Sequence, residues 1–230
     1  MSRLLAPGKT KIVFSWVLAH LYGASIGWLA AIVAAMASLG IGLVLAGLTV
    51  GLSLGLFQTR VLRMCLAGTD ATTQDQQWLA RWPQISTVAL TFCWVLAGVI
   101  GNVLVSNDVA SSRDPILPVI VYFPGMLVLG ILQWLVLRPY SRYAALWVIT
   151  TPLGWCIGIF LGLRAGDIAF EMAFPTRSLG GGILIGFGEL LFAFVSGTVA
   201  AVLSGVITTP SLILLLQKST YPTASAFTAP

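Results

Sequence analysis

Residues 54–63 read Leu-Gly-Leu-Phe-Gln-Thr-Arg-Val-Leu-Arg, and residues 129–138 repeat them as Leu-Gly-Ile-Leu-Gln-Trp-Leu-Val-Leu-Arg. Six of the ten positions agree, and the shared Gln falls at positions 58 and 133. A weaker third copy follows at the same spacing, with Gly205 kept, Thr208 in place of the Gln and Ile213 in place of the Arg. The pattern predicts an internally repeated protein.

The composition indicates the class of protein in which this repeat occurs. Hydrophobic residues make up 58% of the chain and charged residues 8%, and the mean hydropathy is +0.97, which is typical of a polytopic membrane protein. The net charge of +5 does not indicate nucleic-acid binding, because the 12 basic residues lie at the ends of apolar segments and form no basic face. Three widely spaced cysteines (Cys65, Cys93 and Cys156) predict neither a disulfide framework nor a metal cluster.

Six segments are long enough to cross a bilayer, which takes about 20 apolar residues. The first apolar run, 12–37, is too long for a signal peptide, so we expect it to be retained as the first helix. The predicted spans are two within 12–57, broken near 38–40, followed by about 87–105, 116–137, 144–163 and 190–216. Between them we expect a polar loop at 69–77, an interfacial aromatic pair formed by Trp78 and Trp82, a loop at 106–115, a mixed-charge loop at 164–178 and a short polar tail at 218–230.

The basic residues orient these spans. If the N-terminus lies on the first side of the membrane, nine Lys and Arg residues fall on that side and three (Arg113, Arg164 and Arg177) on the other. By the positive-inside rule, both termini are predicted to be cytoplasmic. The fold class that we predict is an all-α polytopic integral membrane protein, a single transmembrane domain over 1–230. Three repeated helical hairpins (about 12–63, 85–138 and 143–217) would surround an approximate three-fold axis along the membrane normal.

The repeated Gln and Arg are the first candidate site residues. Arg63 and Arg138 are expected at cytoplasmic helix ends, where a cation meets lipid phosphate and the negative pole of the helix. Gln58 and Gln133 lie five residues further into the membrane, where an amide requires a partner on another helix. We interpret these structural or lipid-facing residues as an architectural clasp between hairpins. The alternative is a ring of ligand-binding amides.

His20 is the only histidine in the chain and lies within the first predicted span. Polar side chains inside a membrane are candidate functional groups, and one imidazole suffices as the axial ligand of a haem or a chlorophyll-type macrocycle. The alternative is a neutral histidine that is hydrogen-bonded to a carbonyl of a neighbouring helix.

Rows of small residues at every fourth position predict close packing between helices, because small residues let backbones gain dispersion contacts that lipid cannot match. The rows are Gly47, Gly51 and Gly55, then Gly154, Gly158, Gly162 and Gly166, and finally Ala193, Gly197, Ala201 and Gly205. A hinge, or a gap for a flat ligand beside the glycines, is the functional alternative.

Two segments resemble a known group of proteins. Residues 129–138, quoted above, and 145–155 (Ala-Leu-Trp-Val-Ile-Thr-Thr-Pro-Leu-Gly-Trp) resemble uncharacterised multi-span membrane proteins common in cyanobacteria and other photosynthetic or filamentous bacteria. In those proteins, Gly-x-x-Gln-Trp-Leu-Val-Leu-Arg and Trp-Val-x-x-Thr-x-Leu-Gly-Trp segments recur. Pro152 and the weakened third copy depart from the pattern. The resemblance implies a bacterial multi-span protein and brings no established activity.

We expect no enzyme, because the chain has no nucleophile paired with a base and no paired intramembrane carboxylates. Our leading hypothesis is a non-catalytic accessory or structural subunit of a larger membrane complex of a photosynthetic or respiratory apparatus. Its expected partners are that complex and membrane lipids, with pigment (chlorophyll or carotenoid) at its surface and no nucleic acid. It would reside in a bacterial plasma or thylakoid membrane. The alternative is a small-molecule or lipid transporter or channel, a class in which internal repeats are common.

Overall fold

The computed structural model describes residues 8–37, 41–66, 77, 79–107, 116–139, 141–174 and 182–217. These ranges contain six α-helices: α1 (Lys9–Ala37), α2 (Gly42–Leu66), α3 (Trp82–Ser106), α4 (Leu117–Leu137), α5 (Leu146–Ala173) and α6 (Gly182–Gln217). A 3₁₀ turn, Arg142–Ala145, leads into α5 and is capped by the Ser141 hydroxyl, which accepts a hydrogen bond from the Tyr143 amide. The expectations for 38–40, for Trp78, for most of the 69–77 and 106–115 loops and for the 218–230 tail concern residues outside the described ranges.

Each of the six helices contains a stretch that is long and apolar enough to cross a membrane. The stretches are Thr10–Leu29, Gly42–Met64, Trp82–Ser106, Leu117–Leu137, Tyr143–Ala173 (with part of the 3₁₀ turn) and Leu190–Leu215. Large apolar side chains such as Phe14, Leu52 and Val88 are exposed along them, as is expected where lipid is the solvent. The prediction of an all-α chain with six helices long and apolar enough to span a membrane is therefore confirmed.

The helices pack in a closed ring in chain order. Each helix contacts the next, and α6 returns to contact α1. One buried cluster joins residues near the N-terminal ends of α1, α3 and α5 to residues near the C-terminal ends of α2, α4 and α6. Successive helices therefore run in opposite directions. We call this end of the bundle the arginine end, because Arg60, Arg63, Arg81 and Arg138 lie there.

Glycines let two helix pairs approach closely. A Cβ added at Gly51 of α2 would lie 2.5 Å from the Cα of Thr87 in α3. A Cβ added at Gly158 of α5 would lie 3.0 Å from the Cα of Ala200 in α6. A side chain at either glycine would push the two helices apart, because packed helices at this separation leave no space for it.

Two parts of the chain differ from the prediction. The third helix begins at Trp82 instead of near residue 87, and Trp82 is fully buried (0% exposed) instead of lying among lipid headgroups. The indole can be buried because its N–H donates a hydrogen bond to a buried acceptor, which is described below. In addition, α5 continues to Ala173, through most of the predicted 164–178 loop. Gly166 is still buried there against Phe192 and Ser196 of α6, so packing on one face prolongs the helix.

Candidate functional site

Three buried indoles meet at the arginine end of the bundle. Trp16 of α1, Trp82 of α3 and Trp147 of α5 are each at most 1% exposed. The Trp147 ring packs edge to face against both others, with its centroid 5.6 Å from that of Trp16 and 6.2 Å from that of Trp82. Such pairs contribute about 0.5–1.5 kcal/mol beyond the area they bury. Because the three rings come from alternate helices of the ring, they fill its centre at this level. We call them the tryptophan core.

Each indole of the tryptophan core donates a hydrogen bond to a polar side chain of an adjacent helix in the ring. The bonds are Trp82 Nε1 to Gln58 Oε1 (2.9 Å), Trp147 Nε1 to Gln133 Oε1 (2.8 Å) and Trp16 Nε1 to Thr208 Oγ1 (3.0 Å). The three acceptors are the equivalent residues of the three repeat copies, evenly spaced along the chain. The first two bonds join α2 to α3 and α4 to α5, and the third joins α6 to α1. Together they tie the ring closed.

Gln58 also reaches back to His20, and the pattern of donors and acceptors defines both side chains. The Trp82 indole can only donate, so it faces the Gln58 carbonyl oxygen and turns the Gln58 amide nitrogen toward His20 Nε2, 3.0 Å away. His20 Nε2 therefore accepts. Its Nδ1 carries the proton and donates to the Trp16 carbonyl oxygen at 3.1 Å. The result is a neutral imidazole with both nitrogens engaged.

A polar residue follows each core tryptophan by four positions: His20 after Trp16, Ser86 after Trp82 and Thr151 after Trp147. The Gln133 amide nitrogen lies 3.4 Å from the Ser86 hydroxyl, as Gln58 lies next to His20. The Thr151 hydroxyl, by contrast, has no hydrogen-bond partner in the described part of the chain. The reason is the shorter side chain in the third copy, because the Thr208 hydroxyl donates to the Ser204 carbonyl of its own helix at 2.8 Å.

The surroundings of His20 do not fit an axially ligated macrocycle. The side chain is 1% exposed, and its ring packs against Trp16 with centroids 4.8 Å apart. On the α6 side, a Cβ added at Gly205 would lie 3.1 Å from His20 Cγ. Ligation would need the Nε2 lone pair, which accepts from Gln58, and open space in front of it. The observed partners are the carbonyl of its own helix and an amide of α2, whereas the alternative prediction placed a carbonyl of a neighbouring helix there.

Arg63 and Arg138 are both exposed at the arginine end. Arg138 forms the C-cap of α4, and its guanidinium lies 6.0 Å from the centroid of the Trp134 ring. Arg63 lies in the last turn of α2, three residues before the helix ends at Leu66. A cation in either position complements the negative pole of its helix.

A cavity of about 290 Å³ lies between the six helices, in the half of the bundle away from the arginine end. Among the described residues, none that lines it is charged. The lining residues are Trp28, Val50, Leu90, Trp94, Pro118, Tyr122, Met126, Trp155, Ile159, Leu163, Ser196, Gly197 and Ala200. Trp94 packs edge to face against both Trp28 and Tyr122, with centroids 5.0 Å and 5.6 Å apart. One wall of the cavity is therefore aromatic.

The repeat accounts for part of this space. Trp28 and Trp94 follow Trp16 and Trp82 at the same distance along the chain. The corresponding position after Trp147 holds Ile159. An isoleucine side chain occupies less volume than an indole, so the third position leaves space that the other two fill.

Two polar groups of cavity-lining residues lack a hydrogen-bond partner among the described residues. They are the Trp28 indole nitrogen and the Ser196 hydroxyl, and Ser196 is 7% exposed. The edge of the Trp28 indole lies against Gly197, where an added Cβ would be 2.5 Å from Trp28 Nε1. A buried donor without an acceptor costs about 1–3 kcal/mol. The described lining is thus apolar, and two of its residues carry a hydrogen-bonding group without a partner among the described residues.

The repeat pattern identified Gln58, Gln133 and Thr208 but gave no sign of their donors. The sequence carries a separate signal for the donors. Each core tryptophan is followed four residues later by a polar residue, and in two copies a second tryptophan follows at a fixed distance.

No protein-family model, curated protein or solved structure matches this chain. Among the described residues, no group of three or more His, Cys, Asp or Glu side chains could hold a metal ion.

Proposed function

We propose that the bundle consists of three hairpins, α1–α2, α3–α4 and α5–α6, related by an approximate three-fold axis. The three indole-to-acceptor bonds support this proposal, because each joins one hairpin to the next and the acceptors occupy one repeat position. The arginine end would face the cytoplasm and hold both termini, since it carries most of the basic residues while Arg164 lies in the opposite half.

Reporter fusions test this orientation. A fluorescent protein fused after residue 230 is expected to fluoresce, and alkaline phosphatase fused at the same place is expected to be inactive, because that enzyme matures only outside the cytoplasm. Insertion of the phosphatase between residues 108 and 115 is the matched opposite control and should be active. An active phosphatase at the C-terminus would overturn the orientation.

The function that we infer is that of a non-catalytic accessory or structural subunit of a larger membrane complex. The observation that supports this function is that four polar side chains of the core are occupied by hydrogen bonds within the bundle. Gln58, Gln133 and Thr208 each accept an indole N–H, and His20 is engaged at both nitrogens. These groups hold helices together and are not free to relay protons or bind a polar substrate.

The outer surface supplies the second support. Large apolar side chains are exposed on every helix of the ring, among them Phe14, Leu52, Val88, Ile120, Ile149 and Val206. Such a surface suits lipid, pigment or another subunit equally. The resemblance of 129–138 and 145–155 to multi-span proteins of photosynthetic bacteria favours a photosynthetic or respiratory complex, in a plasma or thylakoid membrane.

The experiment is purification of the tagged protein from its native membrane in a mild detergent, with a native gel, mass spectrometry of co-purifying proteins and a visible absorption spectrum. We expect a particle well above 24.4 kDa that contains a membrane partner in fixed stoichiometry. An unrelated six-span protein, tagged and purified in parallel, identifies non-specific partners. A monomeric particle without a partner would contradict the subunit proposal.

The alternative function is a small-molecule or lipid transporter or channel. The cavity favours it, because a substrate needs a space inside the bundle. The tryptophan core weighs against it, because three fully packed indoles fill the centre at the arginine end. Uptake of a labelled lipid or solute by proteoliposomes, but not by protein-free liposomes, would favour transport over the subunit role.

A further inference from the structure

We propose that the cavity is a binding site for a neutral, flat, ring-containing apolar molecule that carries one carbonyl-type hydrogen-bond acceptor. This inference goes beyond the proposed function and does not depend on whether a partner complex exists. It rests on the charge of the lining, the arrangement of aromatic rings, the unpaired polar groups and the volume of the space.

The lining excludes charged ligands. None of the described residues around the cavity carries a charge, and a buried ion without a counter-ion is strongly disfavoured in an apolar environment. The volume of about 290 Å³ lies at the lower limit of small-molecule sites, which range from about 300 to 1,000 Å³. A compact molecule of a few fused rings matches this size better than a complete phospholipid does.

The aromatic wall favours rings over an acyl chain. Trp28, Trp94 and Tyr122 form a run of edge-to-face contacts along one side of the cavity, and Trp155 lines it as well. A flat ring placed beside these side chains gains electrostatic complementarity between ring faces and edges, which a saturated chain lacks. In a bilayer this difference decides selectivity, because lipid tails are available everywhere and are as apolar as the site.

The unpaired Trp28 N–H and Ser196 hydroxyl favour a ligand that carries a hydrogen-bond acceptor. An indole N–H can only donate, and that of Trp28 is buried without a partner in the described part of the chain. Ser196, also without a partner, lines the same space. A carbonyl oxygen would satisfy one donor, while a water molecule needs two to four polar partners to be held in a largely apolar cavity.

The test uses two probes that differ in one group: 9-fluorenone, which has a ring carbonyl, and fluorene, which has a methylene in its place. Binding is measured by equilibrium dialysis between protein-loaded and empty nanodiscs of phosphatidylcholine and phosphatidylglycerol, so that partition into lipid cancels. We expect saturable binding of fluorenone, about 5- to 10-fold tighter than that of fluorene, as one neutral hydrogen bond provides. Fluorenone-2-carboxylate should show no saturable binding.

Two variants locate the site, and a third serves as a control. Ile159→Trp introduces an indole at the position that corresponds to Trp28 and Trp94. By filling the cavity, it should lower the affinity for both probes at least 10-fold. Trp28→Phe keeps an aromatic ring and removes the N–H, so fluorenone should lose about 5- to 10-fold and fluorene less than 2-fold. Trp134→Phe, the same exchange outside the cavity, should leave both probes unchanged.

Each remaining outcome overturns the proposal. Absence of excess fluorenone in the protein-loaded discs would mean that no such site exists. An unchanged fluorenone preference in Trp28→Phe would overturn the role of the indole N–H. A phospholipid that native mass spectrometry finds bound to the wild type, and that Ile159→Trp displaces, would identify an acyl chain as the occupant instead. If Ile159→Trp does not fold, the conservative Trp28→Phe exchange still decides the matter.

Discussion

Replacement of Gln58 by leucine is the sharpest perturbation of the tryptophan core. The substitution keeps a similar volume and removes two interhelical hydrogen bonds, from Trp82 Nε1 at 2.9 Å and to His20 Nε2 at 3.0 Å. At about 0.6–1.7 kcal/mol for each interhelical bond in a membrane, the pair contributes about 1–3 kcal/mol. Because both former partners stay buried without a replacement, we expect a loss of about 2–3 kcal/mol in the free energy of unfolding.

The assay is reversible unfolding in mixed micelles, by titration with a denaturing detergent and detection by far-UV circular dichroism. The control is Gln84→Leu, the same exchange at an exposed position of α3 only two residues from Trp82, for which we expect a change within about 0.5 kcal/mol. Thr208→Val removes one interhelical bond, to Trp16, and should cost about 1 kcal/mol. The expected loss in the free energy of unfolding is therefore largest for Gln58→Leu, smaller for Thr208→Val and smallest for Gln84→Leu.

A double-mutant cycle separates the hydrogen bond from other effects of the leucine. Trp82→Phe removes the indole N–H and keeps an aromatic ring, so the two substitutions together should cost less than the sum of each alone. We expect a coupling of about 0.5–1.5 kcal/mol. A Gln58→Leu variant as stable as Gln84→Leu, or additive single effects, would refute the assignment of Gln58 as a clasp between helices.

Two further predictions use the same unfolding titration. Gly51→Ala should destabilise the protein by about 1–3 kcal/mol, because the new methyl group would overlap the backbone of α3 at Thr87. Gly101→Ala, whose added Cβ would meet nothing closer than 3.8 Å, should be neutral or slightly stabilising, and equal effects at both glycines would disprove the packing argument. Thr151→Val removes a buried hydroxyl without a partner in the described chain and should be neutral or stabilise by up to about 1 kcal/mol. Ser86→Ala removes the partner of the Gln133 amide and should destabilise by a similar amount, so a destabilised Thr151→Val would contradict the proposed bonding pattern.

The repeat of residues 54–63 predicted the acceptors of the clasp but not the donors, which recur in the sequence at a different spacing. Gln58, Gln133 and Thr208 are evenly spaced along the chain, so a repeat search aligns them. The core tryptophans, at positions 16, 82 and 147, lie closer together in sequence than the acceptors do, because the connections inside and between the hairpins differ in length. A search at the spacing of the acceptors therefore passes over the donors, although the folded ring brings the two sets together.

Local composition also explains why some boundaries were wrong. The charged residues after 163 predicted a loop, yet α5 continues because its buried glycines still face α6. Trp82 carried the signature of an interfacial residue, since its amphipathic ring follows a polar segment. Its actual burial depends on Gln58, a residue 24 positions away on another helix.

The sequence by itself determined that the chain has six segments long and apolar enough to span a membrane, and that Gln58, Gln133 and Thr208 of the second, fourth and sixth helices recur at even spacing. Both are properties that composition and spacing carry, because the free energy of transferring a segment into a bilayer depends mainly on that segment alone. Only the tertiary structure decided that the helices close into a ring, that both ring nitrogens of His20 are hydrogen-bonded, and that a cavity remains beside Ile159. These depend on which helices become neighbours and on how their side chains share volume and hydrogen-bond partners, and neither quantity is local to any one stretch of the chain.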